Sequence, residues 1–205
     1  PIVMACVNRT LALPWAFWSD QTDTLSQRDT GWMQIYVEHN QEALDSVIQA
    51  FRIAEAVLLP CMVVLEANFI SHFMEPVDVP AQQEVDRFLP EVNIPQRFDI
   101  DNPSYVGAVV NQSQYRDFKH LSQDAMYLAL ETAAKVDAAF GSLFGRSYGL
   151  VEAQDLKDAE LVLVTSATIT STAREALRQL REKGHKIGLV KIRLFRPFPT
   201  EHIRK

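Results

Sequence analysis

The spacing of apolar and polar positions predicts alternating strands and helices in the first part of the chain. Pro1 to Asn8 is an apolar run typical of a buried strand, and Gly31 to Glu38 alternates as a short strand. Apolar residues recur at helical spacing from Gln41 to Val57, and Pro60 follows where a helix cannot continue. Met62 to Leu65 is a continuous apolar run, which fits a parallel strand covered on both faces. This order of elements predicts an open α/β sheet.

Two segments without clear strand or helix periodicity separate these elements from the rest of the chain. Ala12 to Thr30 predicts a long ordered loop, of the kind that often carries function. Pro76 to Pro103 has prolines spaced through polar residues, which predicts extended surface chain that wraps a neighbour. Helical spacing then returns from Tyr115 to Phe144 and predicts one long helix that crosses between domains.

The last part of the chain predicts a second unit of strand, helix and strand. Leu161 to Val164 is strand-like, and Ala173 to Lys183 is an amphipathic helix with Gly184 as its stop. His185 to Ile192 alternates as the second strand, and a parallel pair of this kind has a right-handed crossover. Arg196 to Pro199 predicts a rigid turn, after which a further helix begins.

Composition and charge exclude some classes of function. The 205 residues are 47% apolar, which is enough to bury a core, and no apolar run reaches the roughly 18 residues of a membrane span. The formal net charge of -6 argues against a nucleic-acid or anionic-membrane partner, because neither polyanion attracts an acidic surface. The chain opens directly on an apolar run after Pro1 and stops just after a helix-start pattern, so we expect an internal fragment of a longer protein.

The two cysteines do not form a metal-binding motif. Cys6 and Cys61 lie in strand-like apolar runs, with neither CxxC spacing nor a nearby pair of histidines. We therefore predict buried free thiols in a reducing cytoplasm, with a reactive thiol as the alternative, and no metal site built from this chain alone.

The long loop and the segments beyond it resemble a known family. The similar residues are Val7-Asn8-Arg9, Trp15, Trp18, Ser19 to Asp23, Gln27 to Trp32, Ser71-His72, Glu75 to Val77, Val85 to Pro90, Phe144 to Arg146, Tyr148 to Glu152 and Val190 to Pro199. In order and spacing they resemble the alpha subunits of pyruvate:ferredoxin oxidoreductases (pyruvate synthases), in the 2-oxoacid:acceptor oxidoreductase family. The resemblance covers nearly the whole chain.

The resemblance implies a division of the chain into three parts. Residues 1–75 would be the C-terminal part of a thiamine-diphosphate pyrimidine-binding-type domain, and 76–157 a proline-rich wrapping segment with a long connecting helix. Residues 158–205 would be the first, N-terminal half of a transketolase C-terminal-type α/β domain.

The resemblance also implies an activity. The intact enzyme would decarboxylate pyruvate oxidatively to acetyl-CoA and CO2 with reduction of ferredoxin, or run the reverse reaction, in the cytoplasm. Its cofactors would be thiamine diphosphate with Mg²⁺ and [4Fe-4S] clusters, mostly bound by parts outside this chain. Its partners would be other subunits or domains of the oxidoreductase, together with pyruvate, coenzyme A and ferredoxin.

Among individual residues, the resemblance places Arg9 at the substrate carboxylate. A planar guanidinium can pair bidentately with that group, and the end of a parallel strand is where ligands bind in open sheets. Asn8 either donates to a substrate oxygen or satisfies the loop backbone. Arg28 either pins the loop through its neighbours, which we favour, or contacts substrate or coenzyme A. No residue is assigned to a cofactor.

Other polar residues have a structural interpretation that we favour. His72 is expected to be a loop histidine bonded to the backbone, with a catalytic role as the alternative. Asp20 and Asp23 are expected in turns and caps, because their spacing on an irregular loop fixes no metal geometry. Thr165 to Thr168 lacks the glycine and lysine of a phosphate loop and predicts a hydroxyl-rich helix cap.

The residues after Arg9 bear on the substrate. Thr10 to Pro14 offer no second cation for a dicarboxylate, so a small apolar substituent fits better and pyruvate is the preferred 2-oxoacid. Other 2-oxoacids (2-oxoglutarate, 2-oxoisovalerate, oxalate) stay open. So do a transketolase-like or 2-oxoacid dehydrogenase component and a non-catalytic assembly or scaffold subunit.

Overall fold

The computed structural model describes residues 1–14, 16–92, 99–105, 107 and 109–204. The strands are β1 (Val3–Asn8), β2 (Met33–Tyr36), β3 (Cys61–Glu66), β4 (Val151–Gln154), β5 (Leu161–Thr165), β6 (Ile187–Ile192) and β7 (Leu194–Arg196). The helices are α1 (Thr22–Leu25), α2 (Asn40–Val57), α3 (Gln82–Phe88), α4 (Gln112–Phe144), α5 (Ile169–Glu182) and α6 (Thr200–Arg204). The strands form a four-stranded sheet in the order β1-β3-β2-β7 and a three-stranded sheet in the order β4-β6-β5.

The first sheet confirms the predicted α/β organisation. Strands β1 and β2 both pair with β3 in parallel, and α2 connects β2 to β3. Helix α2 begins where the His39 ring accepts a hydrogen bond from the Glu42 N–H, and ends at Leu58 in the left-handed region. Its buried face joins β2, β3 and the second half of α4 in one apolar core, in which Phe140 is fully buried.

Strand β1 differs from the prediction of a buried strand. It lies at the edge of its sheet, and Ile2, Met4 and Val7 are 60%, 40% and 44% exposed. Val3 packs against the core and Asn8 is fully buried. The prediction was wrong because an apolar run does not show whether a strand has neighbours on one side or on both.

The proline-rich segment is not extended throughout, as the sequence had suggested. Helix α3 lies between Pro80 and Pro90, and its Phe88 is 2% exposed. The ring of Phe88 packs edge-on against Phe140 and Phe144 of α4, with centroids 5.2 and 5.7 Å apart. Proline is excluded from a helix interior but tolerated at its borders, so two prolines ten positions apart leave room for two turns. Residues 93–98 of this segment lie outside the described residues.

The second sheet contains the predicted parallel pair of β5 and β6, connected by α5. It also contains β4, which pairs antiparallel with β6 and was not predicted. Strand β7 was missed as well: residues around Arg196, expected in a turn, pair antiparallel with β2 of the first sheet.

Helix α4 begins at Gln112, three positions before the predicted start, because the Asn111 side chain and Gln114 form a capping box.

A buried ionic network joins the two sheets. Lys191 of β6 and Arg193 are each 2% exposed, and Glu42 of α2 is fully buried between them. The Lys191 Nζ lies 2.7 Å from Glu42 and 2.9 Å from Glu38, and Arg193 Nε lies 3.0 Å from Glu42. Asp137 of α4 also belongs to the network, and it accepts hydrogen bonds from the chain that leads into β4. Buried charges of this kind are costly unless each is paired, so the two parts of the chain depend on each other here.

The network makes stability depend on pH through Glu38. Burial alone would raise the pKa of Glu38, but hydrogen bonds from Arg174, Lys191 and Ser171 outweigh it and hold the pKa at about 2, below the usual 4.5. A lowered pKa stabilises the fold above the unfolded pKa, and this contribution, about 3 kcal/mol, is lost as pH falls from 4.5 towards 2. We expect the difference in unfolding free energy between wild type and Glu38→Gln to shrink across that range in urea denaturation. A difference that stays constant with pH would contradict this assignment.

Candidate functional site

The candidate site lies where the parallel strands of the first sheet end. Asn8, Tyr36 and Glu66 are the last residues of β1, β2 and β3, and Asn8 is paired with Glu66 in the register of the sheet. Open parallel sheets bind ligands outside the carboxyl ends of their strands. The loop that carries Arg9 leaves the sheet at these carboxyl ends of the strands.

Asn8 is fully buried and fixes the start of this loop. Its Nδ2 donates to Gln21 Oε1 and to Thr24 Oγ1, both at 2.7 Å, and its carbonyl accepts from the Ala67 N–H at 2.9 Å. An amide has two N–H donors, and both are used. The Asn8 side chain therefore holds the loop through other side chains, not through the loop backbone as the sequence interpretation proposed.

Glu66 is the main functional candidate that the sequence interpretation missed. Its side chain is buried at the end of β3 and accepts from Gln21 Nε2 through Oε1 and from the Thr168 N–H, at 3.0 Å, through Oε2. Burial raises the pKa of Glu66, while these two hydrogen bonds act in the opposite direction. The sequence did hold a signal for this candidate, since the acidic Glu66 directly follows the apolar run of a predicted strand.

The contact with Thr168 also corrects an expectation about α5. Thr168 is the N-cap residue of α5, but its side chain forms no capping hydrogen bond. The carboxylate of Glu66 accepts from the N–H instead, so the cap comes from another element and not from the hydroxyl-rich loop. A cap supplied from a distant strand cannot be read from the local sequence.

Arg9 directly follows the buried Asn8 and is exposed. It lines a depression of about 610 Å³ together with Ala12, Leu13 and Phe17. Phe17 also lines an adjoining, mostly apolar depression with His72, and the centroids of these two rings are 6.4 Å apart. Arg9 is therefore placed where a small ligand can reach it, and its contact with a carboxylate stays a prediction.

The other candidates have local roles in the structure. The Arg28 Nε lies 3.2 Å from Asp29, and both side chains are largely exposed, so the pair pins the loop only weakly. His72 forms a hydrogen bond with the Ser71 side chain at 2.9 Å, not with the backbone as expected. Asp20 accepts from the Thr22 N–H at 2.6 Å, and this bonding with Thr22 lowers the pKa of Asp20. Its role in a turn agrees with the sequence interpretation.

No metal ligand set was found among the described residues: no group of three or more histidine, cysteine, aspartate or glutamate side chains could hold an ion there. Cys6 and Cys61 are both free. Burial raises the pKa of the Cys61 thiol to about 12, so it stays protonated at neutral pH. In the described part of the chain, no helix is both long and apolar enough to cross a membrane.

Comparison with known families matches both parts of the chain. The family model described as "Pyruvate flavodoxin/ferredoxin oxidoreductase, thiamine diP-bdg" matches residues 1–137. The chain belongs to this oxidoreductase family. A second model, "Pyruvate:ferredoxin oxidoreductase core domain II", matches residues 159–205. The resemblance found in the sequence is thereby confirmed, while the division at residue 158 stays a prediction.

Curated relatives match the chain over its length. The pyruvate synthase subunit PorA of Methanothermobacter thermautotrophicus is 44% identical over 206 residues, which cover 100% of this chain and 54% of that protein. The ketoisovalerate oxidoreductase subunit VorA of Pyrococcus abyssi is 43% identical over 205 residues, which cover 99% of this chain and 52% of that protein. This oxidoreductase chain thus spans about half the length of the curated relatives it matches.

A solved structure shows the same fold. The 2-oxoglutarate:ferredoxin oxidoreductase from Magnetococcus marinus, with 2-oxoglutarate, coenzyme A and succinyl-CoA bound, superposes with a TM-score of 0.64 at 13% identity. The match covers 99% of this oxidoreductase chain and 39% of that one.

Proposed function

We propose that the chain is part of the alpha subunit, or alpha-like region, of a thiamine-diphosphate-dependent 2-oxoacid:ferredoxin oxidoreductase. The whole enzyme converts pyruvate and coenzyme A to acetyl-CoA and CO2 with reduction of ferredoxin, or runs the reverse reaction. The observation that supports a substrate site in this chain is the position of Arg9. It follows the fully buried Asn8 at the carboxyl end of a parallel strand and lines an open depression.

Arg9 binds the carboxylate of the 2-oxoacid in this proposal. A guanidinium presents a planar fork that matches a carboxylate, and it stays charged at any physiological pH. Among the described lining residues, Arg9 is the one cation, beside Ala12, Leu13 and Phe17. A monocarboxylate with a small apolar substituent suits this lining, whereas 2-oxoglutarate and oxalate would require a second cation.

A second candidate substrate is 2-oxoisovalerate. The ketoisovalerate relative is 43% identical to the chain and the pyruvate synthase relative 44%, so identity does not separate the two substrates. Both 2-oxoacids carry one carboxylate, and Arg9 serves either of them.

The cofactors are assigned mainly to other parts of the enzyme. The match to a thiamine-diphosphate-binding family supports that cofactor, whose chemistry when bound is to stabilise the carbanion left by decarboxylation. The described residues do not fit the other groups: they offer no ligand set for Mg²⁺, and two separate cysteines do not make a [4Fe-4S] site. We place both groups outside this chain.

The proposed setting follows from the same family. The partners are other subunits or domains of the oxidoreductase, with ferredoxin and coenzyme A acting on the assembled enzyme, in the cytoplasm. The net charge of -6 argues against a nucleic-acid partner.

The test is a substrate panel on the assembled full-length enzyme. We expect pyruvate to support coenzyme-A-dependent reduction of ferredoxin with the highest kcat/KM. 2-Oxoisovalerate should be used less well, and 2-oxoglutarate at least about 100-fold less well, since its second carboxylate would meet apolar residues and no second cation. Preference for 2-oxoisovalerate would select the second candidate. No turnover of any 2-oxoacid by a fully loaded enzyme would favour the scaffold alternative.

A further inference from the structure

The position of Arg9 depends on groups that hold the end of β1. The Asn8 amide is oriented by Gln21 and Thr24, and the Asn8 carbonyl by the N–H of Ala67. Gln21 in turn donates to the Glu66 carboxylate. Residues 8, 21 and 66 therefore form a continuous chain of hydrogen bonds that begins one residue before the guanidinium.

Both oxygens of Glu66 face hydrogen-bond donors. Gln21 Nε2 donates to Oε1 and the Thr168 N–H donates to Oε2. The Gln21 amide cannot flip to exchange its oxygen and nitrogen without losing a hydrogen bond, because its Oε1 already accepts from Asn8. A carboxylate accepts from both donors, whereas an amide at position 66 would place its own N–H donors against either Gln21 Nε2 or the Thr168 N–H.

Glu66 also connects the Arg9 loop to the second part of the chain. Its Oε2 caps the N-terminus of α5, where the helix dipole favours a negative charge. A small cavity of about 100 Å³ lies beside it, lined by Ser19 of the Arg9 loop and by Thr168, Ile169 and Thr172. The loop, the end of β3 and the start of α5 thus meet at this one carboxylate.

We propose that Glu66 is a positioning residue that holds Arg9 in place to bind the substrate carboxylate. Glu66 acts through Gln21 and Asn8, and its own carboxylate is anchored at the N-terminus of α5. The inference rests on the proposed carboxylate role of Arg9. Glu66 itself does not contact substrate in this assignment.

The test uses the assembled full-length enzyme with Glu66→Gln, Arg9→Ala and the double variant. Glu66→Gln is expected to raise KM for the 2-oxoacid about tenfold, with kcat changed less than about threefold and thiamine diphosphate affinity unchanged. In the Arg9→Ala background, Glu66→Gln should raise KM no further, because it acts through the lost side chain. Glu66→Asp keeps the charge on a shorter side chain and should recover part of the loss.

A second variant covers the case in which Glu66→Gln does not fold. Gln21→Met removes the connection to Asn8 but leaves the Glu66 contact with Thr168, and it should raise KM in the same way. Glu38→Gln is the matched structural control, since Glu38 also bonds α5, through Ser171 and Arg174. It should lower Tm without raising KM.

The outcomes separate this inference from the proposed function. If Arg9→Ala raises KM but Glu66→Gln and Gln21→Met do not, the positioning role is overturned and the carboxylate role stands. If Glu66→Gln raises KM equally with and without Arg9, Glu66 does not act through Arg9 and the inference also fails. If Arg9→Ala leaves kcat/KM for the 2-oxoacid unchanged, the carboxylate role in the proposed function is wrong.

Discussion

Replacing Arg9 by alanine in the assembled full-length enzyme is expected to lower kcat/KM for the 2-oxoacid by about 10- to 1000-fold. The reason is the loss of a charge-assisted pair with the substrate carboxylate, which contributes about 2–5 kcal/mol where water is excluded. Arg9→Lys should recover only part of the activity, because an ammonium keeps the charge but not the planar fork. Steady-state kinetics of ferredoxin reduction, with thiamine diphosphate affinity measured in parallel, check this prediction.

Arg28→Ala is the natural comparison in the same loop. Arg28 pairs with Asp29 on the surface, so its loss should change Tm little and should leave KM for the 2-oxoacid unchanged. A selective rise in KM in Arg28→Ala would instead support the alternative in which Arg28 contacts substrate. If Arg9→Ala lowered cofactor affinity and left 2-oxoacid kinetics unchanged, Arg9 would belong to the thiamine site.

Replacing Glu42 by glutamine is expected to reduce the free energy of unfolding by about 3–5 kcal/mol. Glu42 is fully buried between Lys191 and Arg193, and glutamine keeps its shape but not its charge. The two cations would then share the remaining acidic partners, among them Glu38 and Asp137. Urea denaturation of the full-length subunit, followed by intrinsic fluorescence, measures the effect.

Glu175→Gln provides the control for Glu42→Gln. Glu175 pairs with Arg178 on α5, but both side chains are more than half exposed, so we expect a change below about 1 kcal/mol. Similar losses for Glu42→Gln and Glu175→Gln would show that the buried network contributes no more than a surface pair.

The sequence predicted the elements whose signals are local and long. Helix α2 was predicted within one residue of its observed start, because apolar residues recur at helical spacing along it and Pro60 marks where it cannot continue. The parallel pairing of β5 and β6 also followed from the pattern, since a strand, a helix and a strand of these lengths have few other arrangements. The family, and with it the candidate role of Arg9, followed from the order and spacing of residues in the loop and in the segments beyond it.

The features that were missed depend on partners distant in sequence. Lys191 and Arg193 alternate with apolar residues, a pattern that normally puts charges on a solvated face, yet α2 supplies the acids that let them be buried. Glu66 is likewise defined by Gln21 and Thr168, from two other parts of the chain. Local patterns predict elements, but they do not show which polar groups will meet.

The antiparallel pairing of β7 with β2 affects the order in which the protein folds during synthesis. Strand β2 ends at Tyr36, whereas its partners across the ladder, Leu194 and Arg196, leave the ribosome much later. Until then one side of β2 exposes N–H and C=O groups that could pair with another chain. The nascent protein therefore carries an aggregation-prone edge on β2 until the residues of β7 have been made, and β7 then covers that edge.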